Sequence, residues 1–122
     1  MLNALEPGTV MPVHRHHARS ETVVILRGKI QWVFFDNSGN ETERVTLDAN
    51  GEPRMLNVDR DRWHSLVCLE SGSVLYESKD GAYRPLGEDE VMEVPGIEEE
   101  SAFLLFCVCD AEKTEGRINN CL

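Results

Sequence analysis

The chain has 122 residues, 41% hydrophobic and 28% charged, with 22 acidic against 12 basic side chains and a net charge of -10. That length suits one domain around one core. The acidic balance argues against nucleic acid and against anionic membranes, since both call for a basic surface, and no apolar run approaches the ~18 residues of a membrane helix.

Residues 1–13 carry neither a basic stretch nor an apolar one, so no signal peptide is expected. The first patterned segment runs from Gly8 to Gly28: Gly8, five residues, His14, one residue, His16, four residues, Glu21, six residues, Gly28. Beyond it, Thr22–Leu26 and Ile30–Phe35 are β-branched and aromatic, apolar on both faces, and joined by Arg27-Gly28-Lys29, where a glycine permits a tight reversal. Asp36-Asn37-Ser38-Gly39-Asn40 is a strong turn signal, and Glu41–Leu47 returns with strand alternation. Asp48–Pro53 reads as a longer loop. Arg54–Val58 and Trp63–Leu69 are two more strands around Asp59-Arg60-Asp61, and Ser71-Gly72 leads into Ser73–Glu77. From Lys79 the chain is turn-rich. Glu88–Val94 is short and acidic, Pro95-Gly96 breaks it, and Ala102–Cys109 is a last apolar strand before a polar tail. Many short strands with little helical periodicity predict an all-β sandwich or barrel over residues 1–110, with 111–122 as the tail.

The cysteines are Cys68, Cys107, Cys109 and Cys121, with no C-x-x-C. This usage predicts free thiols in a reducing cytoplasm. Cys68 lies four positions beyond His64, too far along a strand to share a metal with it.

The histidine spacing has a chemical reading. Alternate residues of a strand face the same way, so His14 and His16 point together from positions roughly 6.6 Å apart. Two imidazoles at that separation can converge on one ion through bonds of about 2.1 Å. A turn at His17-Ala18-Arg19-Ser20 brings Glu21 back as the start of a neighbouring strand. His17 is out of phase and should point away. The one remaining histidine, His64, is the candidate fourth ligand. Three imidazoles and a carboxylate leave about two open positions on a six-coordinate ion and suit Fe, Mn, Co, Ni or Zn.

These residues resemble the cupin superfamily. Gly8, His14, His16, Glu21 and Gly28 match the fixed positions of its first motif, and His64 the histidine of its second. More narrowly the chain is similar to the WbuC-type cupin metalloproteins, through Asn3-Ala4-Leu5-Glu6-Pro7-Gly8-Thr9, His14-Arg15-His16, Trp63-His64-Ser65-Leu66-Val67 and the stretch from Tyr76-Glu77 through Lys79, Gly81, Tyr83 and Pro85. The resemblance implies a small single-domain jelly-roll barrel, with one divalent metal held by His14, His16, Glu21 and His64. It also implies a setting in bacterial surface polysaccharide synthesis. Two departures stand out. Asp59-Arg60-Asp61-Arg62-Trp63 replaces the usual proline and glycine ahead of His64, so that turn must be made by other means. The first motif also begins almost at Met1, whereas the resemblance implies a segment upstream. A lost edge strand would bare backbone groups, and homodimerisation through that edge is one way to cover them.

The expected ligand is a small molecule at the barrel mouth, a sugar or sugar derivative. Glu77 and Tyr83 are the candidate acid and base groups; Lys79 and Arg84 lie nearby, where ordinary salt bridges are expected. Trp32 and Trp63 are expected to pack, and Glu88-Asp89-Glu90 and Glu98-Glu99-Glu100 to be solvated. Three functions remain open: a metal-dependent isomerase or dioxygenase, a non-catalytic sugar-binding or accessory module, and a remnant whose metal only stabilises the barrel.

Overall fold

The computed structural model describes residues 1–95 and the backbone of the short pair 106–107. The described residues form ten strands: β1 (Leu2–Leu5), β2 (Val13–His14), β3 (Glu21–Arg27), β4 (Lys29–Phe35), β5 (Glu41–Asp48), β6 (Met55–Val58), β7 (His64–Cys68), β8 (Ser73–Lys79), β9 (Val91–Met92) and β10 (Phe106–Cys107). Among the described residues the one helical segment is a 3-10 turn at Glu88–Glu90. The strands make two antiparallel five-stranded sheets, ordered β10-β1-β8-β3-β6 and β5-β4-β7-β2-β9. The interior is enclosed between two facing sheets, not by one continuous hydrogen-bonded ring as a strict barrel would have it.

The order of the strands positions the site. β4 and β5 form a hairpin within one sheet, closed by Asp36, whose carboxylate accepts hydrogen bonds from the Ser38 and Asn40 backbone N–H groups. Every other connection between consecutive strands carries the chain from one sheet to the other. The Gly8–Gly28 segment therefore starts in one layer and ends in the other. Gly28 is not the hairpin reversal expected from sequence; it is a corner between β3 in one sheet and β4 in the other, held at φ 78°.

Alternation buries one face of each sheet. Leu5, Val23, Ile25, Val58 and Leu75 from the first sheet meet Ile30, Trp32, Phe34, Leu47, Leu66 and Cys68 from the second. Each such burial is worth roughly 1.5–3 kcal/mol, so the apolar interior holds the layers together. Cys68 belongs to this core and donates from its thiol to the Glu70 carbonyl at 3.2 Å; the side chains of the other cysteines lie outside the described residues.

Three expectations change. β1, which the sequence did not mark as a strand, pairs with β8 on one side and β10 on the other, so the N-terminal strand is not a bare edge. The turn ahead of His64 is made by Asp61 in the left-handed region at φ 61°, a conformation that aspartate tolerates better than most residues. Its N–H donates to the His16 carbonyl at 3.0 Å, tying the turn to the first motif. Of the run Ala102–Cys109, the structure describes only Phe106–Cys107, paired with β1; the tail from residue 111 lies outside the described residues.

Candidate metal centre

His14 on β2 lies directly opposite His64 on β7 in the antiparallel register. Their rings come within 4.3 Å, centroid to centroid, and the His16 ring completes a triangle at 5.2 Å from His14 and 5.8 Å from His64. All three are buried, His64 completely. The ring orientations are fixed by the backbone. His14 Nδ1 donates to the Pro12 carbonyl at 2.9 Å and His64 Nδ1 to the Arg62 carbonyl at 2.7 Å. Each ring thus has its Nδ1 engaged by the backbone and its Nε2 left for the interior, the arrangement that orients metal-ligating histidines. Burial, and then the neighbouring His64, pushes the His14 imidazolium down to about 3, so that ring remains a neutral donor at ordinary pH. Trp32 stacks on the far face of His64 at 5.3 Å and an interplanar angle of 20°.

Glu21 does not sit on a strand bonded to β2. It begins β3 in the opposite sheet and reaches the histidines across the interior. Its Oε1 is 3.0 Å from His64 Nε2 and its Oε2 3.5 Å from His16 Nε2. Burial raises the Glu21 carboxyl, but the His16 and His64 rings and the Lys79 ammonium outweigh it and hold it well below the usual range, as a carboxylate. A buried polar atom left without a partner is costly unless something satisfies it. Among the described residues, both ring nitrogens of His16, Nε2 of His64 and Oε1 of Glu21 are buried without a hydrogen-bond partner. One donor atom from each of His14, His16 and His64 falls in a group whose members lie within 4.8 Å of one another. Nitrogens on one ion with bonds of about 2.1 Å are at most ~4.2 Å apart, a separation that small ring rotations achieve. The orphaned donors therefore fit a divalent cation.

Lys79, expected from sequence to make an ordinary salt bridge, contacts the centre itself. Ser73, Leu75, Glu77 and Lys79 alternate on one face of β8, and ending the strand at Glu77 hid the last of them. Lys79 pairs directly across from Glu21 in the β3–β8 register. Its ammonium lies 3.2 Å from Glu21 and 3.1 Å from Glu77, and Glu77 is itself buried. Tyr83, in contrast, is 64% exposed. It lies on the segment 82–84, where Arg19 donates to the Ala82 and Arg84 carbonyls at 3.2 and 3.1 Å. Trp63 packs at the rim beneath Arg15, 4.3 Å away, and donates to Asn37.

His17 points away from the centre, as expected, and its ring joins Asp61 and Asp89, whose carboxylates raise it above its ordinary value. The acidic run is not wholly solvated: Glu90 is 1% exposed. Its carboxylate accepts from the His17 and Gly87 backbone N–H groups at 2.9 and 2.8 Å and from Arg84 at 2.7 Å. The Glu90 carbonyl accepts from Arg15 N–H at 2.9 Å. Glu90 thus clamps the histidine loop from outside. The available signal was a glycine three positions ahead, the capping-box spacing in which a third-position Glu reaches back to the preceding N–H.

Burial raises the Glu90 carboxyl, but those two N–H groups and Arg84 outweigh it and hold the pKa at about 2. A carboxylate depressed in the folded state stabilises above its unfolded pKa, near 4.5, and loses that contribution as pH falls through about 2. Allowing for the solvent around half-exposed Arg84, roughly 2 kcal/mol is at stake. Urea midpoints of the wild type should exceed those of Glu90→Gln at pH 6, with the gap closing towards pH 2; a gap independent of pH contradicts this assignment.

A family model described as a domain of unknown function (DUF6016) matches residues 1–47. No curated protein matches the chain in sequence. Solved structures do match in fold. The Mycobacterium tuberculosis rmlC epimerase is 19% identical, over 70% of this chain and 46% of its own, with a TM-score of 0.59. A dTDP-4-dehydrorhamnose 3,5-epimerase from Elizabethkingia anophelis is 22% identical over 69% and 50%, with a TM-score of 0.58. A 3,4-ketoisomerase from Helicobacter canadensis is 17% identical over 75% and 65%, also at 0.58. The chain spans about half the length of the two epimerases. At these identities the likeness shows the fold, a cupin-like jelly roll of two antiparallel sheets.

Proposed function

We propose that His14, His16 and His64 hold one divalent transition metal and that the centre acts on a sugar or sugar-derived small molecule. The observation that carries this reading is the set of buried, unpartnered donors converging from both sheets, with two of the three rings oriented by backbone carbonyls. A bound metal supplies Lewis acidity toward a carbonyl or hydroxyl oxygen. Glu21 adds negative charge from the opposite sheet. Glu77, a buried carboxylate 3.1 Å from the Lys79 ammonium, is the candidate proton carrier. The sugar class is supported by the sugar-modifying epimerases and isomerase that share the fold, and by the polysaccharide setting of the family that the sequence resembles. Of the isomerase and dioxygenase readings, these neighbours favour isomerisation.

A second reading has its own support. Lys79 engages both Glu21 and Glu77 in ion pairs, at 3.2 and 3.1 Å. A centre with its carboxylates so occupied suits a binding or accessory module, in which metal and cavity hold the ligand without turnover.

One preparation tests both. Protein purified without added metal should carry about one equivalent of a first-row transition metal per chain by elemental analysis. Calorimetric binding of a dTDP-sugar should require that metal. Turnover, followed by NMR of the sugar protons, selects the enzyme, and metal-dependent binding without turnover selects the module. Protein that neither retains nor takes up Fe, Mn, Co, Ni or Zn overturns the proposal.

A further inference from the structure

We infer that Lys79 sets the coordination of the centre, engaging one oxygen of Glu21 so that the carboxylate offers the ion at most the other. The inference rests on the metal reading above and concerns which side chains complete it.

The geometry is specific. Glu21 and Lys79 occupy paired positions on neighbouring strands, and the side-chain alternation of β8 aims Lys79 and Glu77 into the same interior. The ammonium stands 3.2 Å from Glu21 Oε2 and 3.1 Å from Glu77 Oε2. Lys79 is 16% exposed and Glu21 2%, so little water competes, and a charge pair is much stronger here than at a surface. The ammonium engages Oε2 and leaves Oε1, 3.0 Å from His64 Nε2, as a buried oxygen without a hydrogen-bond partner. A carboxylate whose charge is shared with an ammonium is a weaker metal donor than a free one. Glu77 competes for the same ammonium, so the three side chains form a balance: the more Lys79 turns to Glu77, the more of Glu21 is left for the metal.

Two substitutions move that balance in opposite directions. Lys79→Met removes the cation and leaves two buried carboxylates uncompensated, a state that Glu21 relieves by turning both oxygens to the ion. Glu77→Gln commits Lys79 to Glu21. Zn(II) affinity, measured by competition with a chromophoric chelator, should rise about 10- to 100-fold in Lys79→Met and fall about 10-fold in Glu77→Gln, the range over which groups around metal ligands act. Visible absorption of the Co(II)-loaded full-length protein reads the coordination directly. Lys79→Met should show weaker ligand-field bands than the wild type, as coordination expands, and Lys79→Arg, which keeps the charge, should retain the wild-type spectrum. Unchanged affinity and spectra in both Lys79→Met and Glu77→Gln overturn this inference alone, as does a Lys79→Met that binds more weakly. Should Lys79→Met fail to fold, Glu77→Gln decides by the sign of its shift. A wild type that takes up neither Co(II) nor Zn(II) overturns the metal reading itself.

Discussion

Adding Zn(II) or Co(II) to the metal-free protein is expected to raise its melting temperature by about 10 °C, and His64→Ala to abolish the rise. Ligand at about 100 times its Kd stabilises the folded state by ~2.7 kcal/mol, and a domain of this size shifts by roughly 3–5 °C per kcal/mol. His64 is chosen because it meets every other part of the centre. It lies opposite His14, 3.0 Å from Glu21, and is packed between the cluster and Trp32. Affinity should fall by more than ~100-fold, exceeding the loss usual for residues outside the ligand sphere. Truncation of a fully buried ring also lowers stability without metal, so the decisive quantity is the metal-induced increment in each protein. Equal increments in wild type and His64→Ala, read by calorimetry or circular dichroism, would show that the ion binds elsewhere.

Gly28→Ala should cost roughly 3 kcal/mol, seen as a lower urea midpoint with an unchanged slope. Two causes add. At φ 78° any side chain is strained, by about 1–2 kcal/mol. A Cβ at this corner would also lie 2.2 Å from Ser73 Oγ and 2.9 Å from Ser73 Cα. The hydroxyl cannot swing away freely, since it accepts from Lys29 N–H at 3.1 Å and donates to the Glu70 carbonyl at 2.6 Å. The backbone atom cannot yield without moving the start of β8, and overpacking of this kind typically costs 1–3 kcal/mol. Gly72 is the control: it too has positive φ, 70°, but nothing lies within 4 Å of its added Cβ. Gly72→Ala should therefore lose only the conformational part. Equal losses at the two glycines would remove the steric argument.

The contrast between these glycines shows what the chain's local chemistry discloses. Positive φ at Gly28 is anticipated from a glycine between two apolar runs. The neighbour it packs against comes from β8 and is not visible in its flanks. The same division runs through the site. His14 and His16 were legible because period-two alternation forces them together, and His64 because no other histidine remained. The hairpin at Asp36–Asn40 was legible because its turn residues act locally. Glu21 was placed on the wrong side of the cavity, because a short turn reads alike whether it joins neighbouring strands or crosses between sheets. β1, Leu-Asn-Ala-Leu, has weak intrinsic strand preference and is a strand because β8 and β10 flank it. Glu90 looked solvated in an acidic run, and its burial depends on Arg84 and on N–H groups from two separate segments.

The alternation of consecutive strands between layers also governs the order of assembly. His14 meets His64, and Glu21 meets Lys79, only after β7 and β8 have been made and the layers have closed on each other. Contacts this distant along the chain form slowly, and a nascent chain ending before β8 has no complete cavity in which to capture an ion. Docking of the two layers must then be driven by apolar side chains, and a cation held as proposed would arrive afterwards. Its grip would lengthen the lifetime of the finished protein by slowing unfolding, with little influence on how fast the fold is reached.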